Sequence, residues 1–191
     1  MKRALLAAAF LLAGCQQEDG NNASAIDANG AAPGPAAAEG EQPKSTILEG
    51  LTGSADHKTL ANAVQAAGLT ETFSGAQPYT VFAPTEAAFQ KLPAGTVNSL
   101  LAPEAKGRLV ALITGHVVPG AVTAADLGRA IDRGEGKAKL ATVGGSTLSF
   151  SRDGDSVMVT DAAGGRARIS GADQLRSNGV VHSVDSVLRS R

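Results

Sequence analysis

An abrupt change of composition at Ser45 decides where in these 191 residues a core can form. Between Gln16 and Ser45 lie eight Ala, four Gly, three Pro and three Asn, and the only large apolar residue is Ile26. Five acids are set against one base, Lys44. Such a stretch cannot bury enough apolar surface to offset the entropy of ordering it, and it reads as a flexible, mildly acidic tether. The 146 residues from Thr46 to Arg191 suffice for one good core. A domain of about 150 residues buries roughly 68–70% of its unfolded surface. This part carries 14 basic and 13 acidic residues, so its net charge names no partner and gives no footprint for nucleic acid.

The first fifteen residues read as an address. Lys2 and Arg3 precede an uninterrupted apolar stretch, Ala4 to Leu12, which is too short to span a bilayer. It ends in Leu12-Ala13-Gly14-Cys15, which resembles the bacterial lipobox. The resemblance implies a signal peptide over residues 1–14 and lipidation of Cys15, followed by the tether to residue 45 and one domain over 46–191. Each buried CH₂ contributes about 0.8 kcal/mol, and more than one acyl chain gives a stable anchor. Gln16 after the lipidated residue, by resemblance to lipoprotein sorting rules, favours the outer membrane. The expected location is the bacterial cell envelope, with the domain in the periplasm or at the cell surface. Cys15 is also the single cysteine, which leaves no intrachain disulfide and no Cys-rich zinc module.

Within the domain, the first half has helical signals. Thr46-Ile47-Leu48-Glu49 is a capping-box pattern. Asp56 can cap a helix whose Leu60, Ala63, Val64 and Ala67 share a face, with Gly68 placed to stop it. Tyr79 to Ala83 is a short strand broken by Pro84, and Thr85 caps a turn of helix holding Ala88 and Phe89. Further helices are expected over Thr96–Leu101 and Pro103–Thr114, with a weak cap signal at Thr123. The second half switches to period two. Thr147–Arg152 and Asp155–Thr160 flank Asp153-Gly154, a hairpin signal that predicts Phe150 opposite Val157 and Leu148 opposite Val159. Gly164-Gly165 suggests a second turn before Arg168-Ile169. Val180 to Leu188 reads as a long strand with Val180, His182 and Val184 on one face.

Three ordered segments of this domain resemble the fasciclin family. They are Thr80-Val81-Phe82-Ala83-Pro84-Thr85-Glu86-Ala87-Ala88-Phe89, then His116-Val117-Val118-Pro119-Gly120, then Asn178-Gly179-Val180-Val181-His182-Ser183-Val184-Asp185-Ser186-Val187-Leu188. The resemblance implies an α+β fold, a wedge of two small β-sheets with several short helices along one side. It also implies a non-catalytic role in adhesion, binding protein or glycan partners. The positions it offers for partner contact are Phe82, Pro84, Thr85, His116, Val117 and Val118. It gives Asn178, Gly179, His182 and Asp185 a structural part, with His182 on a central strand. Glu86 stands where the family usually has Asp. Gly115 stands where Tyr usually precedes the histidine, so integrin-type contact does not carry over.

No residue pattern assigns a catalytic centre, a cofactor or a metal. There is no Gly-x-Ser-x-Gly elbow, no His-Glu-x-x-His and no phosphate loop. Ser151-Arg152-Asp153-Gly154-Asp155 lacks the further oxygen ligands of a calcium loop. Lys137 and Lys139 read as a solvated loop or strand edge. His57 reads as a solvated residue of a polar helix start, His116 as a partner contact or a cap on helix carbonyls, and His182 as a satisfied core residue. The expectation is a lipid-anchored envelope protein that binds and does not catalyse. Two rivals stand beside it: an envelope hydrolase with a spatially assembled Ser/His/Asp site, and a structural or regulatory partner of another periplasmic chain.

Overall fold

A computed structural model describes residues 43–154 and 156–189. The expected signal peptide, Cys15 and all but the last three tether residues lie outside the described residues. Ser45 is already held by the domain, its carbonyl accepting from the Ser177 amide at 2.9 Å.

The helices come first and are set by their caps. Helix α1 (Ile47–Gly53) starts in the expected capping box, with Thr46 Oγ1 and the Glu49 carboxylate each taking the other's amide. Ser54, not Asp56, caps the next element, a 3₁₀ turn over Ala55–His57. Helix α2 (Lys58–Ala67) then buries Leu60, Ala63, Val64 and Ala67 and stops at Gly68, whose φ of 77° only glycine adopts at no cost. Helix α3 (Thr70–Ser74) carried no clear sequence signal. Helix α4 (Glu86–Gln90) is capped by Thr85, and α5 is Thr96–Leu101. The expected Pro103 helix is a 3₁₀ turn, Pro103–Ala105, followed by α6 (Lys106–Thr114). The weak signal at Thr123 proves to be a full capping box with Asp126, opening α7 (Ala124–Arg133).

Seven strands, β1 (Tyr79–Pro84), β2 (Val117–Pro119), β3 (Lys137–Ala141), β4 (Thr147–Asp153), β5 (Ser156–Thr160), β6 (Arg166–Arg176) and β7 (Gly179–Val184), form a ladder in the order β2-β1-β7-β6-β5-β4-β3. It consists of two four-stranded sheets that share β6. The first residues of β6 pair with β5, and the rest pair with β7 across a bulge between Ile169 and Gln174. The α+β architecture agrees with the expectation. The expected strand over Val180–Leu188 is shorter, ending at Val184, because its parallel neighbour β1 ends at Pro84. The stretch after Arg168-Ile169, by contrast, continues as the eleven-residue β6.

The β4–β5 register differs from the predicted one by two residues. Phe150 faces Val159 and Asp153 faces Ser156, so Gly154, with φ 61°, lies in the turn after the Asp153–Ser156 pair. The shift is even, so Leu148, Phe150, Val157 and Val159 still share one face.

The parallel pair β1–β7 divides two cores. Val81, Ala83 and Val181 face the helical layer, with Ile47, Leu51, Val64, Phe73 and Ile113. Phe82 and Val184 face the other side, with Leu127, Ile131, Leu148, Phe150 and Leu188. Both strands are buried on both faces, the environment in which parallel pairs persist.

Gly179 begins β7 with φ 149°, and a Cβ there would overlap the Tyr79 carbonyl. Gly107 sits exposed in α6 with nothing near its missing Cβ. We expect Gly179→Ala to cost about 3 kcal/mol or more and Gly107→Ala to stabilise by up to about 1 kcal/mol. Urea midpoints of the two variants check this.

Candidate functional site

The three signature segments meet along β1 and β7, and their side chains point into the molecule. Phe82 is 0% exposed, its ring 5.2 Å from that of Phe150 and stacked 5.4 Å from that of His182. Val117 and Val118 are buried in β2 opposite Val81 and Thr80. Pro84 is buried at the end of β1, and Thr85 is half-buried, its hydroxyl accepting from the Ala88 amide and its own amide donating to Val184 O at 3.1 Å. His116 is buried as well. Five of the six positions offered for partner contact therefore carry core side chains, and the sixth is committed as a helix cap. In this structure these side chains build the fold.

The two signature histidines are locked in opposite neutral tautomers by fixed backbone groups. His116 Nδ1–H donates to Leu112 O at 2.8 Å, and its Nε2 accepts from the Leu188 amide at 2.9 Å. The ring thus caps α6 and pins the chain end. In His182 the roles reverse: Nε2–H donates to Val122 O at 2.8 Å, and Nδ1 accepts from the Asp173 amide at 3.3 Å. The β6 bulge makes that second bond possible. Asp173 takes φ 55°, which turns its amide to His182 while its carboxylate accepts from the Ala124 amide at the start of α7. Thr80, fully buried, holds the same loop by donating to Gly120 O and accepting from the Val122 amide.

The other signature residues are joints. Asn178 accepts from the Ile47 amide at 2.8 Å and donates to Phe73 O and Gly75 O, tying α1 and α3 to the sheet. Asp185 accepts from the Arg168 amide at 2.8 Å and faces Lys91 at 3.5 Å. Burial pushes its carboxyl pKa up, but the Arg168 amide, Lys91 and Ser186 outweigh this and hold it below the usual carboxylate value. Glu86 reaches across to α2, accepting from the Thr59 amide and hydroxyl at 2.6 and 2.8 Å.

His57 departs from its reading as a solvated residue. It is 3% exposed, because the 3₁₀ turn capped by Ser54 swings it under the helical layer. Its Nδ1 lies 3.0 Å from Ser54 Oγ and its Nε2 lies 3.2 Å from Ser183 Oγ, which also accepts from Gln174 Nε2. This serine–histidine contact bears on the hydrolase rival. Both residues are buried, and the group orienting the imidazole is a hydroxyl, where a nucleophilic triad needs a carboxylate. The hydrogen-bond partners of the His116 and His182 rings among the described residues are backbone groups and not nucleophilic side chains. Among the described residues no group of three or more His, Cys, Asp or Glu could hold a metal, and no helix is long and apolar enough to cross a membrane.

The signature side chains along this buried parallel pair are mostly spent on packing and backbone ties. The comparisons name the class. Residues 55–190 match the Fasciclin domain, and the chain belongs to that family. It is 44% identical over 143 residues to Protein sll1483 of Synechocystis sp., covering 75% of this chain and 72% of that one. It is 35% identical to the transforming growth factor-beta-induced protein ig-h3 of Sus scrofa, covering 77% of this chain but only 20% of that protein. Among solved structures, a FAS1 domain pair from the insect cell adhesion molecule fasciclin I superposes with a TM-score of 0.67 at 17% identity, covering 78% of this chain and 52% of that one, which shows the shared fold.

Burial holds all three histidine pKa values below their ordinary level; Leu112 O and Asp161 oppose this for His116, Val122 O and Asp173 for His182, and Asp56 and Glu86 for His57. The folded rings stay neutral where unfolded histidines begin to protonate, so protons favour the unfolded chain. Stability should be flat above pH 7.5 and fall as pH drops below about 6.5, by up to about 1.4 kcal/mol per pH unit for each ring. Denaturant unfolding between pH 8 and 5 checks this. A flat profile through that window would mean that the rings are not shielded.

Proposed function

We propose that this chain is a non-enzymatic, lipid-anchored envelope protein that presents its fasciclin domain for adhesive binding to protein or glycan partners. The observation that carries the reading is the commitment of the signature residues. Phe82, His116, Asn178 and His182 are consumed by the interior, which leaves a rigid body with no reactive group in an accessible place among them. A hydrolase needs the opposite, a histidine open to substrate beside an activated nucleophile. The domain's likeness to part of an insect cell adhesion molecule supports the adhesive sense of the reading. The lipobox-like Leu12-Ala13-Gly14-Cys15 supports anchorage at Cys15. The envelope location, with the outer membrane favoured, rests on the same leader. The rival role as a structural partner of another periplasmic chain shares the absence of chemistry and differs in where the domain is displayed.

Display matters physically because single-site affinity for such a body is modest, whereas many copies on one membrane raise effective concentration without new contacts. Cys15→Ser should move the protein from the membrane to the soluble fraction and abolish a lipid mass on the N-terminal peptide. The wild-type chain reconstituted in vesicles should retain partners from envelope extract at least about tenfold better than the soluble Cys15→Ser chain. Unchanged membrane partitioning of Cys15→Ser would overturn the anchor. Turnover of a retained partner that is lost with Ser183→Ala would overturn the binding role in favour of the hydrolase.

A further inference from the structure

We infer that the outer face of the β3–β4–β5–β6 sheet is a binding surface for an acidic polysaccharide. The inference rests on the binding role proposed above and names the ligand class. Registers across the four strands place eight side chains in two transverse rows. One row runs Lys137–Ser151–Met158–Arg168, and the other runs Lys139–Ser149–Thr160–Arg166. Each row has a cation at both ends and hydroxyl or thioether groups between. The alternate residues of the same strands, Ala138, Leu148, Phe150, Val159 and Ala167, are buried in the core beneath, so the eight share the opposite, solvent face.

The four cations are exposed, and Ser149, Ser151, Met158 and Thr160 between them are half-buried. Lys137, Lys139 and Arg166 line a groove of about 560 Å³ over this floor together with Asp153, the carboxylate that pairs with Arg168. Among the described residues Arg168 pairs with Asp153 at 3.0 Å, whereas no ion pair engages Lys137, Lys139 or Arg166. The domain as a whole is nearly neutral, so this is a local concentration of charge and not a global bias. Protection of an exposed strand edge explains Lys137 and Lys139 on β3. On β6 the edge beside Arg168 is already covered by Asp185, whose amide donates to Arg168 O and whose carboxylate accepts from the Arg168 amide, so edge protection requires no cation there, while Arg166 pairs with β5 alone.

The geometry selects the ligand. The cations on β3 and β6 stand three strand spacings apart, about 14 Å, with hydroxyls filling the interval. A slender chain bearing carboxylates or sulfates at intervals, with hydroxyls between, can satisfy both edges and the floor at once. The one large apolar side chain in the two rows, Met158, is half-buried on the floor between the cations, so the face presents no protruding apolar residue to insert into a membrane. Single-stranded nucleic acid wants aromatic platforms, and Phe73, Phe82, Phe89 and Phe150 are all buried.

The test uses the full chain in detergent micelles, offered immobilised polygalacturonate, heparin and neutral dextran at low salt. Retention on either acidic polymer, weakened by added salt and absent on dextran, is the expected result. Polygalacturonate offers carboxylates alone, whereas heparin offers sulfates beside carboxylates, so retention on heparin only marks a requirement for sulfate. The triple variant Lys137→Gln/Lys139→Gln/Arg166→Gln should lose at least about tenfold in affinity with unchanged urea midpoint, because these exposed side chains enter no ion pair among the described residues. The control Lys58→Gln/Lys106→Gln/Arg108→Gln, on the helical side, should bind as wild type. Equal loss in both variants, retention no better than on dextran, or tighter binding to anionic phospholipid vesicles or duplex DNA would each overturn the assignment. Retention of envelope-extract proteins by the vesicle-displayed chain is scored separately, so a failure on polysaccharide is distinguishable from a failure of the adhesive reading.

Discussion

The parallel pairing of β1 with β7 is the constraint on which the rest of the structure depends. The two strands are separated by almost a hundred residues, and six register pairs, from Tyr79–Gly179 to Pro84–Val184, join them. A parallel pair cannot be closed by a tight turn, and it needs cover on both faces. The intervening chain provides that cover. Helices α4 to α6 lie between the strands in sequence and join α1 to α3 in building one core, while α7 and the β3–β6 strands build the other. Gly179 is where this pairing begins. Its backbone lies so close to the Tyr79 carbonyl that no side chain fits between them.

The polar residues of the signatures follow from the same arrangement. Two cores on opposite sides of a thin partition must be tied to it through buried backbone, and every buried amide or carbonyl without a partner costs on the order of 1–3 kcal/mol. Asn178 serves three such groups at the start of β7, and His182 serves two from its middle. His116 serves two more, one at the end of α6 and one near the end of the described chain. A histidine suits these places because its neutral ring offers one donor and one acceptor at a fixed separation. The acid sensitivity expected of the fold is a consequence of that use. Protonating either ring would point a new N–H at an amide that already donates.

Much of this was legible in the sequence, for local reasons. The caps at Thr46, Thr85 and Thr123 and the stop at Gly68 are short-range chemistry, and each appears where its residues predict. Features that depend on distant partners were not legible. His57 lies in a polar run, and only the position of Ser183, 126 residues away, makes it a buried joint. The β4–β5 register could not be decided by alternation, because registers two residues apart bury the same faces. The burial of the positions offered for contact was not legible for a related reason. Phe82, Val117 and Val118 form an ordered signature, and a signature marks a requirement without saying whether packing or a partner imposes it.

Spending the signature on the interior has a consequence for recognition. The residues that make this chain a fasciclin domain are nearly all hidden, so they cannot also distinguish its partners. Under the binding role proposed above, partner choice falls to the faces that the fold leaves less constrained, and a broad one is the solvent side of β3 to β6. A net charge near zero conceals what lies there, because composition sums over both faces of a sheet while a ligand meets only one. The arrangement of Lys137, Lys139, Arg166 and Arg168 emerges only when two-residue spacing along each strand is combined with pairing across four strands. If that face binds as inferred above, scaffold and recognition surface are separable: substitutions on the outer face then retune binding while the β1–β7 partition and its buried histidines hold the fold.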